Sequence, residues 1–202
     1  MLGIGLCMAL CGGCGGGGGD NPVATKAVIA FAIALPGGST EQVGSVDLTM
    51  ELPDGVSLPL SAGAIPTGAS GYLRFSGVGA DFAALPNASA SMIGTYVPAT
   101  STTKARVSIV TNTLTPDNHG LNPGEFATLT CDLTPGTTVD PNAFMLTDVL
   151  IGNVTGVKLY DSLSGIRGPA ALTYRVTLIP GTHPGSSGST TGSTGSTGSV
   201  NF

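Results

Sequence analysis

Charge is scarce in this chain. Only 9 % of its 202 residues are Asp, Glu, Lys or Arg, against about 25 % in an average soluble domain. Seven scattered basic residues and a net charge of −5 exclude a nucleic-acid binder, which needs grouped Lys and Arg to neutralise phosphates. Tryptophan is absent, so the coplanar aromatic strip that grips crystalline cellulose is disfavoured. Histidine occurs only as His119 and His183. No serine sits in a Gly-x-Ser-x-Gly elbow between strand and helix, and no His, Cys and carboxylate set has metal-ligand spacing. Catalysis therefore has little to stand on, and the chain reads as a non-enzyme. Fourteen prolines and 32 glycines leave little room for long helices.

Neutral polar residues and alanine fill the space that charge leaves, a composition suited to extracellular β-proteins. Alternation carries the fold. Val46, Leu48, Met50 and Leu52 alternate with Asp47, Thr49 and Glu51, the pattern of a half-buried strand. Residues 26–35 (KAVIAFAIAL) form an apolar run rich in β-formers, as a strand buried on both faces requires. Residues 72–76, 91–97, 106–111, 126–133, part of 149–159, and 173–179 supply further strands between Gly and Pro turns. At 140–146, Asp140 as cap and Pro141 after it suit one helical turn. About eight to ten strands over residues 25–180 predict an all-β, antiparallel sandwich in one domain.

Cysteines are confined to Cys7, Cys11 and Cys14 near the start and Cys131 in the domain. Cys131 shares a strand face with Ala127, Leu129 and Leu133, so it reads as a small buried apolar residue.

The first residues, MLGIGLCMALCGGCGGGGG, place a short apolar stretch, small residues, a cysteine and a glycine spacer in that order. The stretch at 2–10 is too short for a spanning helix, which needs roughly 20 apolar residues. It resembles the signal peptide of a bacterial lipoprotein, although no Lys or Arg precedes it and Cys11 stands where that motif usually has Leu. The resemblance implies a leader over 1–13 and acylation of Cys14, with a lipid membrane as the first partner. Gly15 in place of an aspartate points to the outer membrane or cell surface. An ordinary cleaved signal peptide is the alternative. Residues 14–24 then form a tether, a random coil of about 15 Å over its Gly-rich part. Residues 181–202 repeat Gly-Ser-Thr and are expected to be disordered, because they bring too little apolar surface to offset ordering.

The order of segments carries a second resemblance. Val43 to Val56 (VGSVDLTMELPDGV), Gly120 to Leu133 (GLNPGEFATLTCDL) and Ala143 to Val149 (AFMLTDV) resemble successive segments of cohesin-type domains. That family implies a jelly-roll β-sandwich related to cellulose-binding modules, with a binding role and no catalysis. Its members dock a protein or bind polysaccharide. The implied partner here is an unknown protein, with polysaccharide as the alternative and a structural subunit of a surface assembly as a third. For sugar, Tyr72 and Tyr96 are the candidate ligand-binding residues. No cofactor is implied. Loop calcium has candidate oxygens in Asp117, Asn118, Asn122 and Glu125 and in Asp140 and Asn142, but turn-forming Asx residues explain both sets.

Overall fold

A computed structural model describes residues 23–37, 39–117 and 119–181, and the backbone of 195–199. The leader 1–13, Cys14, the tether to residue 22, Asn118, His183 and the remainder of the tail lie outside the described residues. The strands are β1 (Ala24–Ala34), β2 (Val43–Glu51), β3 (Val56–Ser57), β4 (Gly63–Ile65), β5 (Leu73–Phe75), β6 (Ser89–Val97), β7 (Arg106–Leu114), β8 (Gly124–Leu133), β9 (Met145–Asn153), β10 (Lys158–Asp161), β11 (Ile166–Arg167), β12 (Ala171–Pro180) and β13 (Gly195–Ser199). One short helix, α1 (Gly77–Ala83), lies between β5 and β6.

The strands form two antiparallel sheets. One runs β13-β12-β1-β8-β3, with β5 also on β8; the other runs β11-β10-β9-β2-β7-β6-β4. Their inward residues meet in one apolar core, with Ile29, Phe31, Leu129 and Val176 from the first sheet and Leu48, Met50, Ile109 and Ile151 from the second. The apolar run of β1 explains its central place. It pairs with β12 on one side and β8 on the other, and even its outward residues Val28, Ala30 and Ala32 are half-buried.

The β1–β8 register shifts between Phe31 and Ala32, which face Ala127 and Glu125. Phe126 is thus an extra residue on β8, and the bulge sends both Phe126 and Ala127 into the core. The Phe126 ring then meets Phe31 at a centroid distance of 6.5 Å and 41° between planes, a favourable tilted aromatic pair.

Asp140 caps a 3-10 turn at Pro141–Ala143 by accepting from the Asn142 amide, a shorter turn than residues 140–146 would have made. The tail departs further from expectation. Residues 195–199 are a strand, paired antiparallel with β12 from Thr177↔Gly195 to Thr173↔Ser199. Composition alone argues for disorder there, but the open backbone groups of β12 offer hydrogen bonds that need no apolar side chain.

Candidate functional site

Two surfaces stand out. The first is the outer face of the seven-stranded sheet. Strand alternation turns Met92, Tyr96, Val107, Ile109, Val46 and Leu48 inward, which leaves Ile93, Val97, Val110 and Asp47 outside. Register then assembles them into a row. Ile93 is directly opposite Val110, Val110 opposite Asp47, and Asp47 opposite Leu150. Ile93 is 61 % exposed and Val97 54 %, large values for β-branched side chains on a regular strand. On one flank the row Thr95, Ser108, Thr49 and Asp148 is polar, and Thr49 Oγ1 and Ser108 Oγ share a hydrogen bond at 3.0 Å. Beyond it, Arg106 donates to Glu51 Oε1 from Nη2 at 2.9 Å and from Nε at 3.2 Å, with Val97 and Met145 exposed at the two ends of that row. The Asp47 carboxyl has a raised pKa, first because neighbours displace its water and second because Asp148 is near.

The second surface is a groove between β5–α1 and β6, with a volume of about 860 Å³. Its making is local. After β4, Pro66 carries the chain away from β6. The Leu73 amide bonds the Pro66 carbonyl at 3.3 Å, and Gly68 donates to the Leu73 carbonyl at 3.0 Å. β4 therefore pairs only with residues 94–96 of β6. Helix α1 supplies the opposite wall with Ala80, Ala83 and Ala84, and Arg74 and Ser76 line the same space. Gly79 lets α1 sit on β8, since a Cβ there would collide with the Phe126 carbonyl.

The predicted sugar platforms separate. Tyr96 is 3 % exposed and turned into the core, so it offers no ring face to a ligand. This corrects its assignment as a candidate ligand-binding residue; the inward phase of β6 is the cause. Tyr72 is half-buried just ahead of β5, and its carbonyl accepts from the Thr130 amide at 2.8 Å. The two tyrosines thus belong to opposite sheets and do not converge.

Other candidates are spent on structure. Asp140 Oδ1 accepts from both the amide and Nδ2 of Asn142. His119 Nδ1 lies 3.3 Å from Gln42 Oε1, which also accepts from the Gly120 amide. Among the described residues, no three His, Cys, Asp or Glu side chains gather closely enough to hold a metal ion. Cys131 is fully buried, and burial, with a smaller push from Asp132, raises its thiol pKa to about 12. Among the described residues no helix is long and apolar enough to cross a membrane.

The exposed row and the groove both escaped sequence reasoning. The row needs the cross-strand register, and the groove needs the turn at Pro66. Comparison with protein-family models, curated proteins and solved structures finds no match for the chain.

Proposed function

We propose that this chain is a non-catalytic binding module that docks a partner protein on the outer face of its seven-stranded sheet. In this reading the domain is a cohesin-like jelly roll, held at the outer membrane or cell surface by an acyl chain on Cys14. The observation that carries it is the row Ile93, Val110, Asp47 and Leu150 across four neighbouring strands. Apolar side chains supply contact area there, and Asp47 beside Asp148 asks for a cationic or hydrogen-bonding group on the partner. Polysaccharide binding is the second reading, and it now rests on Tyr72 alone.

The test is comparative capture from the native cell envelope, with the full chain and an Ile93→Asp/Val110→Asp variant of equal thermal stability as baits. One protein retained by the parent and lost from the variant is the expected result. Equal retention by both would refute the assignment of this face. Polysaccharide retained by the parent and lost on Tyr72→Ala would replace the protein by a glycan. The anchor is tested separately: Cys14→Ala should release the protein from the membrane fraction, and unchanged association would remove the lipid from the account.

A further inference from the structure

The groove beside β6 has three properties that bear on one kind of ligand. The first is an open strand edge. β7 pairs with β6 along its whole length from Ser89 to Val97, whereas on the other side β4 reaches only residues 94–96. Over residues 89–93 no backbone bond to any other described residue fills that side. Every second residue of a strand directs its N–H and C=O to a given side, so this stretch presents unpaired donors and acceptors along roughly 16 Å. Ala90, Ser91 and Met92 of this same stretch line the groove.

The second property is a cation with most of its donors unspent. Arg74 Nε donates to Thr128 Oγ1 at 3.0 Å. That bond fixes the plane of the guanidinium at the groove wall, and its two terminal nitrogens make no hydrogen bond or ion pair among the described residues; the side chain is exposed. Four of the other cations, Lys26, Arg106, Lys158 and Arg175, face carboxylates. The third is an orphan: Ser76 Oγ is buried and finds no hydrogen-bond partner among the described residues. A buried hydroxyl without a partner is uncommon and calls for a reason.

We propose that this groove binds an extended acidic peptide, which adds to the free edge of β6 as an antiparallel or parallel strand and places a carboxylate on Arg74. The main-chain bonds supply affinity that does not depend on peptide sequence, as in other strand-addition sites. A terminal edge of Arg74 receives the carboxylate in a two-pronged bond. The small wall Ala80, Ala83 and Ala84 leaves room for side chains that point away from β6. A volume of about 860 Å³ lies within the range of roughly 300–1,000 Å³ usual for ligand sites. The groove lining shares no side chain with the exposed row on the sheet face, and Val110, Asp47 and Leu150 of that row lie on β7, β2 and β9, so either surface can fail without the other.

The experiment selects nine-residue peptides from a random displayed library on the full chain, then measures the affinity of the enriched peptides. The expected result is enrichment of peptides with Asp or Glu at a fixed place. Their affinity should fall at least tenfold in Arg74→Gln and in Ala84→Trp, which fills the groove, and should hold in Val110→Asp, which alters the sheet face on β7. Bound peptide should also slow amide hydrogen exchange in residues 89–93. Failure to enrich any peptide, or affinity and exchange that ignore both groove variants, would overturn the proposal. Circular dichroism of each variant confirms the fold, and Arg74→Lys gives a second reading of the charge alone.

Discussion

Tyr174 Oη donates to the main-chain carbonyl of Phe144. The bond joins β12, in the six-stranded sheet, to the residue immediately before β9 in the seven-stranded one. Both residues are buried, so this polar contact works inside the apolar seam between sheets.

Tyr174→Phe keeps the ring and leaves the Phe144 carbonyl without its donor. Loss of about 1–3 kcal/mol of unfolding free energy is expected, measured by urea denaturation at pH 7. Burial raises the Tyr174 pKa, so its neutral form is the one the fold holds. That contribution is complete below the unfolded phenol value near 10 and is lost as pH rises through the higher folded value. The variant should therefore lose less stability above pH 10 than the parent does.

Asp161 predicts the opposite slope. Lys158 Nζ donates to Asp161 Oδ2 at 2.7 Å, and the amides of Leu163 and Ser164 donate to Oδ1 at 3.0 and 3.1 Å. Lys158 first, then Ser164, holds this carboxyl well below the usual carboxylate range. Its stabilisation is present above the unfolded value near 4 and is lost as pH falls toward the lower folded value. Asp161→Asn should be less stable than the parent at pH 7. The gap between their urea midpoints should narrow steadily from pH 5 to pH 2; a constant gap would mean the carboxylate charge contributes nothing.

Cys131 should be chemically silent. With its thiol pushed up to about 12 by burial, the thiolate, which is the reactive form, is scarce at pH 8. Iodoacetamide should leave Cys131 unmodified in the native chain and label it in urea, read by peptide mass mapping that separates it from Cys7, Cys11 and Cys14. Native labelling would show that β8 opens.

Gly79→Ala sets two effects against each other. Alanine in a helix gains about 1 kcal/mol over glycine. The new Cβ, however, runs into the Phe126 carbonyl oxygen, and overpacking of this kind costs about 1–3 kcal/mol. A backbone oxygen cannot rotate away, so net destabilisation is expected in thermal melts, together with weaker peptide binding because α1 walls the groove.

The long strands were legible because their alternation is long. β2, β8 and β12 each run nine or ten residues, enough to reveal a period of two. β3, β4 and β11 have two or three residues, which carry no period at all. Helix α1 hid for a different reason. Its sequence GVGADFA holds two glycines, and Ser76 makes no side-chain cap bond; packing of Phe82 into the core stabilises what local preference does not. β6 shows why the site was harder to read than the fold. Met92 and Tyr96 point inward while Ile93 and Val97 point outward, so both faces are apolar and the sequence gives no phase. Tyr96 shares its inward face with Gly94, where a Cβ would run into Leu73 and Ile65, a contact that alternation does not reveal.

The pairing of β13 with β12 has a consequence for how copies of this protein coexist. A bare strand edge templates the addition of foreign strands and is a common start for aggregation. Here residues 173–177 of β12 already face residues 195–199, and the covering strand reads GSTGS. Two of these five residues are glycine, which is depleted in strands and weakens them, so this new edge is a poorer template for a further strand. Residues 195–199 thus close a strand margin of β12 that would otherwise stay open to other chains.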